Sequence, residues 1–430
     1  MDEARAQLTR RGGFVEPELS PRMMERNREL FGEAHTAGEV VDRILREVKS
    51  EGDAAVRRYS VAYDGHALDP FEIPRQAWDA ALDEIDAEVR AALELAAERI
   101  KAFHEKQVRT SWFETEELGL FGQIVRPFER IGVYTPGGSA PLPSSLLMIA
   151  VPARVAGVAE IVVCAPPAKD GSVSPLILAT AAVAGVDRVF GVGGAQAIAA
   201  MAYGTESIPG VDKILGPGNL FVAIAKQKVA GIVAPDQLPG PTETLLIADE
   251  RADAEHVAAD LLAQAEHDEA ASAILLTTSA ELASAVLAAL ERQLPEIERA
   301  AIAAVSLARN GRVVVVPSLE AAVELANAYA PEHLCLLVEN PWALVSRITH
   351  AGGIFVGAES PEALGDYTAG PSHVMPTGGT ARFSSPVHIG DFLRVMTLMA
   401  ANDRAITELG PATIALARAE GLTAHARAIE

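Results

Sequence analysis

The sequence has little of what marks membrane proteins, secreted disulfide-linked proteins or nucleic-acid-binding proteins. Cysteine occurs only twice in 430 residues, at Cys164 and Cys335, each within an apolar run. We expect both to be buried as small hydrophobic side chains, so no disulfide is predicted. Aromatic residues make up only 5% of the chain. Ala and Val supply much of the apolar content, which suits helices packed closely on sheets.

Basic residues are also scarce relative to acidic ones. The formal net charge is −22, and no basic run interrupts this balance. Phosphate backbones and anionic lipid surfaces would be repelled, so we expect neither nucleic acid nor a membrane as partner. The longest uncharged stretch, residues 131–153, is rich in Gly, Pro and Ser, and residues 1–14 have no apolar core of a secretory signal. A cytoplasmic protein without a membrane span is predicted.

The sequence does contain a repeated order of strand, glycine turn and helix from about residue 131. Short β-branched runs give strands in two consecutive blocks: RIGVY, EIVVC, DRVF and DKIL, then TETLLIADE, SAILLTTS, RVVVVPS, HLCLLVEN and GGIFVGA. Helical segments separate them, among them AEHVAADLLAQAEHDEA (254–270). This order predicts parallel, doubly wound sheets. Residues 37–106 and the chain after residue 384 show mostly helical spacing of apolar residues.

The predicted fold is therefore α/β. It has two Rossmann-like domains, each an incomplete doubly wound parallel sheet, plus smaller, mainly helical N-terminal and C-terminal domains. The assigned ranges are 30–106 for the helical domain, 133–241 for the first Rossmann-like domain, 1–29 with 107–132 and 242–381 for the second, and 382–430 for the small C-terminal domain.

Glycine-rich turns between strand and helix suit phosphate groups, because backbone N–H groups at a helix N-terminus face the ligand. GVGGAQ (191–196) starts like a dinucleotide-binding fingerprint. It lacks a third glycine or alanine at the expected position and an acid at the end of the next strand, because Asp212 precedes that strand. Glycines at such turns also occur for steric reasons alone, so this motif by itself leaves cofactor binding open.

Polar side chains cluster in the second block and near the C-terminus, in loops that we expect at the carboxyl ends of strands. Gln264 and His267 lie three residues apart and would share one face of a helix. They could be metal ligands, a hydrogen-bonded pair in a core, or surface polarity, and spacing alone leaves all three open. The other residues of this kind are Glu332, His333, Asp366, His373, Glu420 and His425.

Eight stretches, in order from about residue 130 to the C-terminus, resemble those of the histidinol dehydrogenase family. They are YTPGG (134–138), GVGGAQAIAA (191–200), GPGN (216–219), DQLPGPTETLLIADE (236–250), DLLAQAEHD (260–268), YAPEHL (329–334), GDYTAGPSHVMPTGGTARFSS (365–385) and LTAH (422–425). Eight motifs in register form a specific signal. Ser372 stands where other members often have Asn, and Thr242 where some have Ser; both keep hydrogen-bonding capacity.

The resemblance implies an NAD-dependent, four-electron oxidation of L-histidinol to L-histidine through L-histidinaldehyde, the last steps of histidine biosynthesis. It implies one zinc ion per site and a homodimer with shared active sites, in which His425 comes from the second subunit. The first Rossmann-like domain would bind NAD, the second would carry zinc, and the C-terminal domain would dimerise. The implied zinc ligands are Gln264, His267, Asp366 and His425. The implied substrate contacts are those four with Thr242, His333, His373 and Glu420. The implied NAD contacts are Tyr134, Gln196 and Asn219.

Glu332 and His333 match the family's acid–base pair. His333 would take the hydroxyl proton as hydride leaves, and Glu332 would activate the water that hydrates the aldehyde. Zinc would mainly orient the substrate, although manganese or cobalt would also suit nitrogen and oxygen ligands. Two alternatives are a paralogous zinc- and NAD-dependent dehydrogenase of another polar amino alcohol or diol, and a non-catalytic metal- or nucleotide-binding scaffold.

Overall fold

The structure is a computed structural model that describes residue 8 and residues 21–32, 35–136, 142–168, 170–236 and 240–430. Most of the segment 1–29, and parts of the YTPGG and DQLPGPTETLLIADE motifs, lie outside the described residues. Leu8 is buried in the core of the second parallel sheet.

Fourteen strands are present in the described residues. They are β1 Glu72–Ile73, β2 Trp112–Glu116, β3 Gly119–Pro127, β4 Arg130–Tyr134, β5 Glu160–Cys164, β6 Arg188–Phe190, β7 Lys213–Leu215, β8 Ala234–Pro235, β9 Glu243–Ala248, β10 Ser272–Thr277, β11 Arg312–Val315, β12 His333–Leu337, β13 Gly353–Val356 and β14 Leu393–Ala401.

The α-helices of the described residues come before, between and after these strands. They are α1 Pro21–Phe31, α2 Ala37–Glu51, α3 Asp53–Asp64, α4 Arg75–Glu84, α5 Ala87–His104, α6 Pro143–Ala156, α7 Pro175–Val183, α8 Gly194–Tyr203, α9 Leu220–Val229, α10 Ala254–Ala265, α11 Ala280–Gln293, α12 Ala300–Asn310, α13 Leu319–Tyr329, α14 Trp342–Val345, α15 Glu362–Tyr367, α16 Asp403–Ala419 and α17 Thr423–Arg427. Within the described residues, no helix has the length and apolar character needed to cross a bilayer.

The first sheet has the strand order β1-β6-β5-β4-β7-β8. Strands β4 to β8 pair in parallel, and β1 pairs antiparallel with β6 at one edge. The chain moves outward from β4 through β5 to β6 and then returns to β7 on the other side of β4. The topological switch point, where ligands bind in such sheets, therefore lies between β4 and β7.

The second sheet is fully parallel, with the order β11-β10-β9-β12-β13. Its central strands β9 and β12 are buried on both faces, as their continuous apolar sequences predict. Here too the order reverses beside the first strand of the block, between β9 and β12. The predicted architecture of two incomplete, doubly wound parallel sheets is confirmed.

The N-terminal helices cover both faces of the first sheet. Helices α2 and α3 pack in one core with α8 and α9, and helices α4 and α5 pack in another with α6 and α7. The segment 37–106 was predicted to be helical. It is helical apart from its loops and residues 72–73, which form β1. Gly52, with φ +55°, separates α2 from α3. Among the described residues, the buried side chains of this segment belong to the two cores of the first sheet.

A third, antiparallel sheet joins β2 and β3 to β14. The expectation of a mostly helical chain after residue 384 is wrong for residues 393–401, which form a nine-residue strand. Residues 112–127, assigned to the second Rossmann-like domain, form strands of this sheet instead. The partners are far apart in sequence, and pairing of this kind overrides local propensity.

Candidate functional site

A cavity of about 240 Å³ lies between the two parallel sheets. The carboxyl end of β7, at Leu215–Pro217, forms one wall, and the residues that open β9 and β12 form the opposite wall. The expectation that several polar clusters sit at or near the carboxyl ends of strands is therefore wrong at this cavity for the second sheet, which presents its amino edge. The reason is geometric: α10 and α13 each run back across the sheet, so residues after α10 and before β12 meet at that edge.

Glu332 and His333 stand at the start of β12 and are both buried. Oε2 of Glu332 accepts hydrogen bonds from Thr242 Oγ1 at 2.7 Å and from the backbone N–H of Glu243 at 3.0 Å. The ring of His333 lies between a backbone and a side-chain acceptor. Its Nδ1 is 3.2 Å from the Glu243 carbonyl, and its Nε2 is 3.3 Å from Asp366 Oδ1. Since both acceptors need a proton, this geometry fits the doubly protonated ring.

Three carboxylates determine the charge state of His333. Burial opposes a charged ring, but Glu362 at 3.9 Å, Glu332 at 3.7 Å and the hydrogen-bonded Asp366 together raise the pKa of His333 to about 10. Burial raises the pKa of the Glu332 carboxyl, and the positive charge of His333 opposes this shift. The two side chains are thus electrostatically coupled, because the charge of each one shifts the pKa of the other.

Gln264 and His267 approach the same cavity from the end of α10. Nε2 of Gln264, which is buried, donates to Thr242 Oγ1 at 2.5 Å. The predicted helix over 254–270 ends at Ala265, where the chain turns and Asp268 accepts from the N–H of Ala270. His267 therefore lies beyond the helix, at the solvent-facing rim of the cavity, and the prediction that the two residues share one helical face is wrong.

Asp366 and His373 complete this side of the cavity. Nδ1 of His373 donates to the Asp366 carbonyl at 2.6 Å, and Nε2 lies 3.2 Å from Ser145 Oγ, which donates to it when the ring is neutral. Burial lowers the pKa of His373. Burial works against the Asp366 carboxylate, yet the hydrogen bond from His333 lowers its pKa. Ser372 turns away and bonds the backbone of Met148 and Val374.

The donor set at this cavity suits a metal ion. Gln264, His267 and Asp366 offer an amide oxygen, an imidazole nitrogen and a carboxylate, a mixed shell that zinc accepts. Burial lowers the pKa of His267, which favours the neutral ring that a metal ligand must have. Within the described part of one chain, no three His, Cys, Asp or Glu side chains form a metal-binding cluster.

The fourth predicted ligand, His425, and the predicted substrate contact Glu420 are not at this cavity. Both are exposed: Glu420 directly follows α16, which packs on β14, and His425 lies in α17, which packs on α16. One chain therefore brings together Thr242, Gln264, His267, Glu332, His333, Asp366 and His373, and it leaves the two C-terminal residues on its surface.

Glu362 is a buried carboxylate at this site that the sequence pattern did not indicate. It begins α15, 3.9 Å from His333 Nδ1 and 3.8 Å from Cys335 Sγ. Burial raises the pKa of Glu362 to about 7, against the pull of the positive His333 ring. In sequence it belongs to a polar, proline-containing loop, so nothing marked it as buried.

A second cavity, of about 450 Å³, lies at the carboxyl ends of β4 to β7. The three predicted cofactor contacts, Tyr134, Gln196 and Asn219, all line it. Tyr134 Oη accepts from the N–H of Gly194 at 3.1 Å, and Asn219 caps α9 by accepting from the Val222 N–H. Strand-to-helix turns and helix N-termini thus meet at one crevice, the geometry that binds dinucleotide phosphates.

The turn between β7 and α9 borders both cavities, because Gly216 lines the first and Asn219 lines the second. Gly216 has φ +117°, and a Cβ there would lie 2.1 Å from the Tyr134 carbonyl oxygen, so only glycine fits. Asp236 accepts from the Gly216 N–H at 2.6 Å and from the buried Lys226 Nζ at 2.6 Å. Lys226 also donates to the Gly216 carbonyl. A buried ion pair therefore holds both backbone polar groups of this turn.

The two cysteines are buried and unpaired, as predicted. Burial raises the pKa of the Cys164 thiol to about 12, and burial also raises the pKa of Cys335. Neither thiol lines one of the two cavities described above. A thiolate nucleophile would need the opposite environment.

Comparison with known proteins agrees with this arrangement. The family model described as histidinol dehydrogenase matches residues 28–430. The histidinol dehydrogenase of Deinococcus radiodurans is 52% identical over 431 aligned positions, which cover 100% of this chain and 98% of that protein. That of Thermus thermophilus is 47% identical, covering 100% and 98%. The crystal structure of histidinol dehydrogenase from Elizabethkingia anophelis superimposes with a TM-score of 0.90 at 37% identity, covering 100% and 95%. The chain is thus a dehydrogenase and belongs to the histidinol dehydrogenase family.

Proposed function

We propose that this protein catalyses the NAD-dependent, four-electron oxidation of L-histidinol to L-histidine through L-histidinaldehyde, the last steps of histidine biosynthesis. The observation that carries the proposal is the buried Glu332–His333 pair, which faces a cavity beside the crevice lined by Tyr134, Gln196 and Asn219. The turn between β7 and α9 contributes Gly216 to the smaller cavity and Asn219 to the crevice, so the two cavities are neighbours, as hydride transfer between substrate and nicotinamide requires.

Substrate binding would use the polar residues at the rim and floor of the smaller cavity. Gln264, His267 and Asp366, with His425 from a second copy of the chain, would hold a zinc ion that orients the substrate through its amine and imidazole nitrogens. Thr242 and His373, and Glu420 from the second copy, would hold the polar groups of the substrate that remain.

In the first oxidation, Nε2 of His333 would take the hydroxyl proton while hydride leaves the carbon for NAD. This requires a neutral ring. Asp366 stabilises the imidazolium form of His333 through Nε2. With zinc bound, the Asp366 carboxylate would be a metal ligand, and the pKa of His333 would therefore fall. The product of this step is the bound aldehyde.

In the second oxidation, Glu332 would remove a proton from water as its oxygen adds to the aldehyde carbon. During this addition the protonated His333 would give its proton to the aldehyde oxygen, which forms the hydrate and returns the ring to its neutral form. His333 would then deprotonate the hydrate as the second hydride leaves for a second NAD. One alcohol, one water and two NAD⁺ thus give one carboxylate, two NADH and three protons. Thr242 and the Glu243 N–H fix Glu332 for this role.

A homodimer with shared sites is part of the proposal. The antiparallel sheet and α16 carry many exposed apolar side chains, more than an isolated surface usually presents. They are Trp112, Phe113, Val395, Met396, Met399, Ile406, Leu409, Leu416 and Leu422. This surface lies next to Glu420 and His425 in sequence, so dimerisation through it would bring both residues to another subunit.

Histidinol-dependent NADH formation tests the proposed function. We expect two NADH per histidinol with the wild-type protein and a rate at least about 100-fold lower for His333→Ala, the usual contribution of a general base. His350→Ala is the matched control, since that ring bonds the Asn327 carbonyl away from both cavities. Good turnover of another amino alcohol without turnover of histidinol would favour the paralogue, and an undiminished His333→Ala rate would reject the catalytic assignment.

A further inference from the structure

The dinucleotide fingerprint at residues 191–196 lacks the acidic residue that normally follows the next strand, and the fold supplies a carboxylate from elsewhere. Asp64, the last residue of α3, lines the larger cavity together with Tyr134 and Gln196. It reaches the cavity because α3 packs against α8, whose first turn contains Gln196. The N-terminal helical segment therefore contributes to the crevice at the carboxyl edge of the first sheet.

The Asp64 side chain is held in place inside this cavity. Its Oδ2 accepts a hydrogen bond from Nε2 of Gln196 at 3.2 Å, and Gln196 is itself almost fully buried. Burial raises the pKa of Asp64 to about 6, and Arg26 opposes that shift. The carboxylate is thus partly desolvated and ionised above neutral pH. It also sits at the C-terminus of α3, where the helix dipole adds negative potential.

Arg26 is the other charged residue among the described side chains that line this cavity. Its guanidinium is already engaged at the end of α3, where it donates to the backbone carbonyls of Ala62 and Tyr63 at 2.5–3.1 Å. Several N–H groups of Arg26 are therefore already hydrogen-bonded within the protein. Among the described residues, the Asp64 carboxylate forms no salt bridge.

We propose that Asp64 determines which nicotinamide dinucleotide this enzyme accepts, by accepting hydrogen bonds from an unphosphorylated ribose and repelling a 2′-phosphate. The proposal rests on the NAD-linked function proposed above. A carboxylate at the ribose both selects the free hydroxyl and disfavours the added charge, which is how an acid acts in related dinucleotide folds. Here the acid comes from a helix outside the usual strand–turn–helix unit.

Equilibrium binding of two nucleotide fragments tests this role apart from turnover. Isothermal titration calorimetry at pH 8 would compare ADP-ribose with 2′-phospho-ADP-ribose on the full-length protein. We expect the wild type to prefer ADP-ribose at least about tenfold, and Asp64→Asn to lose most of that preference. Asp64→Glu should weaken ADP-ribose but keep the discrimination, because the charge remains. Asp79→Asn, which removes an exposed carboxylate of α4, is the control.

The outcomes separate the inference from the function on which it rests. If the wild type oxidises histidinol with NAD and Asp64→Asn keeps the wild-type preference, the inference is overturned and the function stands. If the wild type neither binds ADP-ribose nor oxidises histidinol, both are overturned. Should Asp64→Asn fold poorly, as thermal unfolding would show, Asp64→Glu decides: loss of discrimination in that variant contradicts a role for the charge.

Discussion

Two adjacent residues at the start of β12 receive different surroundings. Oε2 of Glu332 accepts hydrogen bonds from a hydroxyl and a backbone N–H. His333 instead faces three carboxylates, which favour its protonated form. Both side chains line the same cavity, with His333 Nδ1 3.7 Å from Glu332 Oε2, so the contrast comes from the partners of each side chain.

Glu332→Gln should separate the two oxidation steps. The amide oxygen can still accept from Thr242 and Glu243, so the fold should persist, but the amide cannot take a proton from water. We expect histidinol to be oxidised to the aldehyde while oxidation of L-histidinaldehyde slows about 100-fold or more. Stopped-flow NADH traces on each substrate measure this, with the exposed Glu339→Gln as control. Equal slowing of both steps would contradict a separate role for Glu332.

Sequence alone predicted most of the site's residues, although not all of their surroundings. His333, Asp366 and His373 were indicated by motif, and the structure brings them together. Glu362 gave no signal, because its burial depends on how α15 packs beside β12, a contact between segments with no shared pattern. The amino-edge position was also missed, since local sequence does not reveal at which end of a sheet two loops meet.

At the scale of elements, the turn between β7 and α9 borders both cavities, through Gly216 on one side and Asn219 on the other. Lys226, on α9, is fully buried and has Asp236 and the Gly216 carbonyl as partners. A buried charge of this kind is costly once its partner is removed. The ion pair therefore links α9, the end of β8 and the Gly216 turn.

Lys226→Met should lower the free energy of unfolding by about 3–5 kcal/mol, because it leaves the Asp236 carboxylate buried without a counter-ion. Asp236→Asn added to it should restore part of the loss. Lys228→Met, on the same helix but pairing with Asp42 at the surface, should cost no more than about 1 kcal/mol. Urea unfolding monitored by circular dichroism measures all three. Equal losses for Lys226→Met and Lys228→Met would show that the buried pair has no special role.

Nine strands of the two parallel sheets were predicted, because buried parallel strands read as continuous apolar runs. The two-residue strands β1 and β8 were not predicted. The strands β2, β3 and β14 were not predicted. Residues 393–401 carry no period-two alternation of polar and apolar side chains, and most of them are exposed on one chain. Their strand conformation depends on pairing with residues 119–127, which sequence analysis of either segment alone cannot reveal.

At the scale of the whole molecule, one chain assembles only part of the proposed site. His425 and Glu420 are exposed beside an apolar surface, while the other implied residues surround the cavity. In a two-fold dimer each chain would complete the other's site, because the same contact is made twice.

Mixing of inactive variants tests this arrangement. Homodimers of Asp366→Ala and of His425→Ala should each be nearly inactive. Subunit exchange in an equal mixture should restore about a quarter of wild-type activity, because half of the dimers are mixed and one of their two sites keeps every ligand. Asp366→Ala mixed with the double variant Asp366→Ala/His425→Ala is the control and should stay inactive. A site built from one chain would give no recovery in either mixture.

The pairing of β3 with β14 orders the assembly of this protein in time. Gly119 lies opposite Ala401, and Pro127 lies opposite Leu393, so both parallel sheets are encoded in between. At synthesis rates of about 5–20 residues per second, β3 is made tens of seconds before its partner. Both α/β domains can therefore fold before the C-terminal segment docks. The arm bearing Glu420 and His425 is made after both parallel sheets, so the proposed shared site is completed only when two folded chains dock.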